Sequence, residues 1–160
     1  MSMAQRQTSF EGKLKFGEEG EHEVAQYLIQ RGVSILPLYQ FDKGEAPVIY
    51  SARTQIISPD LICFKDDSFM VEVKTKNQWV SHRGRVETGL DLKHYNHYKQ
   101  IACITGKDVY VFFNQKQQNP TGMFYCNLDK YTRVWDGKAR GRKVHPEMVF
   151  YNIKILNRVK

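Results

Sequence analysis

A chain of 160 residues, 41% hydrophobic and 26% charged, has a folded protein's composition and excludes an intrinsically disordered one. Its length suits one domain with a substantial core. A formal net charge of +7 favours a polyanionic partner, nucleic acid first, and no apolar run is long enough to span a membrane.

Residues 1–12 are expected to be flexible, with Met1–Ser9 polar and free of secretory-signal character. Cys63, Cys103 and Cys126 are scattered, odd in number and without metal-ligand spacing. Free thiols in a reducing, cytoplasmic compartment are the expectation.

A first helix is predicted from about Lys13 or Phe16 to Arg31, stopped by Gly32. Val24, Tyr27 and Leu28 form its apolar stripe. Gly17 and Gly20 fall on the same face, with Glu21 on its flank. Two helical glycines, each unfavourable by up to about 1 kcal/mol, make sense if the helix start approaches a sheet closely. Glu21 would then point near the sheet. The acidic group Glu18, Glu19, Glu21 and Glu23 would otherwise simply complement the helix N-terminus.

Val33–Tyr39 reads as a strand, with Pro37 marking an edge or an irregularity. Gln40–Thr54 reads as a surface loop with a short extended piece at Val48–Tyr50. Two apolar strands follow, Ser58–Phe64 and Phe69–Lys74, joined by a short polar turn. They carry Asp60, Glu72 and Lys74, residue types that strand interiors disfavour. Glu72 and Lys74, two apart, project from one face. A carboxylate pair beside an ammonium suits metal-assisted attack on a phosphodiester. The chemistry demands a register. Pairing Phe64 with Phe69 would leave Asp60 and Glu72 on opposite faces. A one-residue offset, giving a three-residue loop, or a bulge or bend near Pro59–Asp60, returns them to the same face.

Thr75–Arg85 reads as a basic loop. Lys76, His82, Arg83 and Arg85 are candidates for nucleic-acid backbone contact, and Trp79 either stacks on a base or packs in the core. A second helix is predicted over about Asp91–Gly106, with Asp91 as N-cap. Leu92, Tyr95, Tyr98 and Ala102 form its apolar face. Mid-helix Gln100 either holds a water or phosphate oxygen or is a surface helix former. Val109–Phe113 reads as a strand buried on both faces, followed by a polar loop over Asn114–Gly122. Met123–Leu128 and Val149–Leu156 are further strands. Between them Lys138–His145 reads as a loop whose Arg140, Arg142 and Lys143 suit phosphate contact or a merely solvated face.

With Gly20-Glu21, Pro59-Asp60 and Glu72-Val73-Lys74 in this order of elements, the chain resembles the PD-(D/E)XK nuclease superfamily over roughly Phe16–Phe113. It is similar to the small single-domain members and the archaeal Holliday-junction resolvases. The resemblance implies an α/β, restriction-endonuclease-like fold: a central mixed β-sheet flanked by helices, in the order α-β-β-β-α-β plus C-terminal strands. Residues 1–160 would be a single nuclease domain, with its core at about 13–115 and a C-terminal strand extension over 123–160.

The family pattern makes Asp60 and Glu72 direct Mg²⁺ ligands, with the Val73 carbonyl as a further ligand and Mn²⁺ as a substitute. Lys74 would orient or deprotonate the attacking water. Glu21 would ligate metal through water or complete a second site, and Gln100 would stand where some members carry a helper glutamine. The implied reaction is hydrolysis of DNA phosphodiesters, structure-selective for junctions, nicks or flaps. The alternative is a catalytically silent nucleic-acid-binding or assembly module of the same fold. Many enzymes of this fold pair, so a homodimer is a further expectation.

Overall fold

The computed structural model describes residues 18–38, 47–52 and 54–160. Helix α1 covers 18–30 and gives way to a turn at Gly32, whose φ of 76° suits a glycine. The predicted helix start and Gly17 lie outside the described residues. Then come β1 (Ser34–Pro37), β2 (Val48–Tyr50), β3 (Gln55–Ile57), β4 (Leu61–Phe64), β5 (Ser68–Lys76), β6 (Val80–His82) and β7 (Arg85–Asp91). Helix α2 (Leu92–Thr105) ends at Gly106, whose N–H returns to the Ala102 carbonyl. The chain continues with β8 (Val109–Gln115), β9 (Gly122–Asn127), β10 (Arg133–Trp135), β11 (Lys138–Ala139), β12 (Arg142–Lys143), β13 (Met148–Asn152) and β14 (Asn157–Arg158).

Six strands form the central sheet in the order β1-β4-β5-β8-β9-β14. It is mixed, because β8 runs parallel to β5 and the other pairs are antiparallel. The parallel pair follows from α2 carrying the chain back. Pro37, in edge strand β1, occupies a place that tolerates its missing N–H.

Strand alternation divides the core into two layers. On one side Leu61, Cys63, Val71, Val73 and Phe112 pack against Val24, Ala25 and Leu28 of α1. On the other side Met70, Val109, Val111 and Phe113 meet Tyr98 and Ile101 of α2, together with Leu90, Val149 and Tyr151. These last three belong to a second sheet, ordered β10-β13-β7-β6. The expected loop over Thr75–Arg85 is therefore the end of β5, strand β6 and a hairpin turn into β7. The basic segment after Trp135 is likewise a two-stranded ribbon, β11–β12. Of the expected C-terminal strands, β9 widens the central sheet and β13 joins the second; the strand expected to run to Leu156 stops at Asn152, where Ile153–Ile155 form a 3-10 turn, and an unexpected short β14 pairs with β9. Among the described residues no helix is long and apolar enough to cross a membrane.

Candidate active site

The β4–β5 hairpin sets Phe64 opposite Ser68 and Leu61 opposite Val71, with a three-residue turn, Lys65–Asp67. This is the offset register that the chemistry demanded. One step beyond β4, Asp60 stands across from Glu72, on the α2 side of the sheet. Its Oδ2 accepts the Val73 N–H at 2.7 Å, which fixes the carboxylate against β5. Glu72 is 1% exposed, and its Oε1 lies 2.5 Å from Lys74 Nζ. Glu72 Oε2 is buried without a hydrogen-bond partner. A buried, half-satisfied carboxylate is unfavourable by itself and suits a cation.

Helix α1, which packs on the other face of the sheet, carries Glu21, whose carboxylate is close enough for its charge to couple with Asp60, Glu72 and Lys74. Gly20 is buried, and a Cβ there would stand 1.8 Å from Thr75 Oγ1. Its lack of a side chain lets α1 sit directly on β5. Farther along α1, Glu23 accepts from Asn114 Nδ2 at 2.6 Å and pairs with Lys116. Glu23 thus clamps the helix to the β8 end instead of merely complementing a helix terminus. Burial, reinforced by Glu72, raises the half-buried Glu21 carboxyl to about 6. Burial and Glu72 likewise push Asp60 well above the ordinary carboxylate range, despite the opposing Lys74 charge. For Lys74 burial works against the ammonium, but Glu72 and Asp60 outweigh it and hold the proton more tightly than usual.

The start of α2 adds residues that sequence reasoning did not assign to the site. Asp91 stands at the N-cap position, but its side chain makes no capping bond. Its charge is a minor influence on Lys74, Lys76, His94 and Tyr98, behind burial and the charges of Glu72, Asp60 or Lys74. Burial and then Lys74 hold His94 below the ordinary imidazole range, and its Nδ1 is buried without a partner. Burial and then the Glu72 and Asp60 charges keep the Tyr98 phenol protonated. Asp91, His94 and Tyr98, at i, i+3 and i+7, share one helix face. That spacing was the available signal.

Gln100 lies about 200° around α2 from Tyr98 and is exposed, so it stands apart from the cluster. Lys76 shares the Glu72–Lys74 face of β5, where burial and Lys74 lower its proton affinity. Val73 turns its side chain into the α1 layer and gives its N–H to Asp60. Trp79 takes the packing alternative. It is 8% exposed, its ring meets Phe124 edge-on, and its Nε1 donates to the Gln118 and Pro120 carbonyls. No face is left for a base. His82 is half-buried in β6, while Arg83, Arg85, Arg140, Arg142 and Lys143 are exposed on two hairpins.

Among the described residues no three His, Cys, Asp or Glu side chains already stand in ligating geometry. The donor set still fits a hard divalent cation: carboxylate oxygens only, one of them buried and unpartnered.

No protein-family model and no curated protein matches the chain. Among solved structures it is similar to Hjc, a Holliday junction resolvase from the archaeal hyperthermophile Archaeoglobus fulgidus. The TM-score is 0.57 at 11% identity, over 89% of this chain and 91% of that one. The fold is restriction-endonuclease-like, an α/β architecture around a central mixed sheet.

Proposed function

We propose that the chain is a metal-dependent DNA endonuclease, structure-selective for junctions, nicks or flaps. The observation that carries this reading is the hairpin register, which sets Asp60 across from Glu72 and places Lys74 2.5 Å from the Glu72 carboxylate. Asp60 and Glu72 would hold Mg²⁺, or Mn²⁺ in its place, with Glu21 and the Val73 carbonyl completing the ligands. The cation would lower the pKa of its water and stabilise charge developing on the phosphate. Lys74, kept protonated by its two carboxylates, orients the attacking water and offsets phosphate charge. The half-buried setting of Asp60 and Glu21 limits competing water around the reacting oxygens. The net charge of +7 suits a DNA substrate, and the free thiols suit the cytoplasm.

The Glu72–Lys74 pair also supports a second reading, a silent module in which the pair is structural. Thermal shift separates the two. Mn²⁺ at about a hundred times its dissociation constant should stabilise the wild type by about 2.7 kcal/mol, and Asp60→Asn should lose that shift. The pH dependence has a definite sign. Glu21 is raised from 4.5 to about 6, so the metal-free fold is more stable with Glu21 protonated and loses that contribution as pH rises through this window. Cation binding runs the other way, and the Mn²⁺ shift should shrink as pH falls through about 6. A melting temperature indifferent to Mn²⁺ at pH 7.5 would leave the silent module standing.

A further inference from the structure

Among the described residues only two non-glycine positions have positive φ, Arg83 and Arg140, both at 49°. Each is followed by a glycine that also has positive φ, Gly84 at 73° and Gly141 at 76°. The flanking pairs are His82–Arg85 and Ala139–Arg142, so both are two-residue hairpin turns of the same class. Both spell Arg-Gly-Arg. Turns of this kind favour Asn or Gly at the first central position, and an arginine there is held in a backbone conformation that side-chain-bearing residues rarely adopt. The same strain accepted twice, at two exposed apices, has a common product: a guanidinium displayed at the tip of a finger.

The fingers are stiffly mounted. Below Arg140 the ribbon is closed by Gly137, whose carbonyl accepts the Val144 and His145 N–H groups. Trp135 stacks on His145 and donates Nε1 to the Lys138 carbonyl. Below Arg83 the β6–β7 hairpin is anchored by buried Glu87, whose Oε2 takes Arg133 Nε at 2.7 Å. None of Arg83, Arg85, Arg140, Arg142 or Lys143 forms an ion pair among the described residues. The two roots lie at opposite ends of the second sheet. Arg85 begins β7, while Trp135 and Met148, the root of the other finger, lie at the Asp91 end. Six strand steps separate these ends by about 20 Å. The Asp91 end is also the catalytic end, tied to the ribbon by the Leu92 N–H on the Glu147 carbonyl.

We propose that the two Arg-Gly-Arg hairpins are paired grips for one DNA duplex, rooted about 20 Å apart along the second sheet, one of them beside the catalytic end. The proposal deepens the nuclease reading and rests on it for the ligand class. Duplex is favoured over single strand because neither tip, Arg83-Gly84 nor Arg140-Gly141, carries an aromatic side chain on which a base could stack. What remains at the tips is guanidinium, which binds phosphates across a span wider than one groove.

The test is equilibrium binding in EDTA, so that no cleavage occurs, to a duplex of about two turns (~20 bp) over a salt series. Arg83→Asn/Arg85→Gln and Arg140→Asn/Arg142→Gln remove charge yet leave Asn-Gly, the favoured pair for this turn. Melting temperatures should therefore hold or rise. Each pair should flatten the slope of log K against log salt by about 2, and all four changes together by about 4. Unchanged slopes, an effect from only one hairpin, or equal losses on a single strand of the same length would overturn the proposal. Cleavage by the wild type reports on the nuclease reading separately. A chain that shows these slopes but does not cut keeps the grips and loses the nuclease; one that cuts with unaltered slopes does the reverse.

Discussion

Replacing Lys74 by methionine is expected to reduce cleavage by about 10²–10⁴-fold and to destabilise the fold by roughly 3 kcal/mol. The two losses have one origin. Lys74 is the ion-pair partner of Glu72 Oε1, and Glu72 is 1% exposed with its other oxygen unpartnered. Without the ammonium a carboxylate stays buried and uncompensated. The same reasoning gives an opposite result for the double variant Glu72→Leu/Lys74→Met. Two apolar side chains on the α2 layer, beside Met70, Val111 and Tyr98, should restore stability to the wild-type level or above it. Activity should stay absent. Urea unfolding of the three proteins checks the pattern. A stable Lys74→Met variant would mean that the pair contributes little, and an unstable double variant would mean that the polar cluster is needed for folding.

The second large effect lies outside the cluster. Gly20→Ala should destabilise by roughly 1–3 kcal/mol, although alanine in place of a helical glycine ordinarily stabilises by about 1 kcal/mol. The reversal comes from the new Cβ, which would stand 1.8 Å from Thr75 Oγ1 and 3.1 Å from Thr75 Cβ. Either Thr75 turns or α1 lifts from β5. If the helix lifts, Glu21 moves with it, and cleavage should fall more than stability alone explains. Thr75 Oγ1 is buried without a partner, so Thr75→Ala should be nearly neutral. In the double variant it should recover part of the loss, because the hydroxyl goes but Thr75 Cβ remains. A double-mutant cycle by thermal unfolding, read with single-turnover cleavage, measures both couplings. A Gly20→Ala protein more stable than wild type would show that the helix does not approach as closely as described.

The sequence made the β4–β5 hairpin legible because chemistry constrained it. Three polar residues in apolar strands had to share a neighbourhood, and only the offset register with the three-residue turn achieves that without a bulge. Gly20 was legible for a related reason, since a glycine in a helix needs a close neighbour to explain it. The second sheet was hidden. Strand β7 contains Glu87 and Gly89, residue types that strands disfavour. Glu87 becomes tolerable only through Arg133, 46 residues away, a partner that no local pattern announces. The two hairpin turns were read as loops because arginine stands where Asn or Gly would signal the turn. Asp91 was placed correctly at the head of α2, but its side chain makes no capping bond. Gln100 was read either as a site residue or as a surface helix former, and its exposure about 200° around α2 from Tyr98 agrees with the second.

Asp60, Glu72 and Lys74 are the proposed cation-dependent phosphodiesterase centre. Its most direct test is cleavage of labelled four-way junction, flap, nicked, single-stranded and linear duplex DNA by the wild type and by Glu72→Gln, each with Mg²⁺ and with EDTA. The expected result is cutting of branched or nicked substrates by the wild type with Mg²⁺ only, and none by Glu72→Gln. Equal cutting by the variant, or cutting that persists in EDTA, would contradict the account.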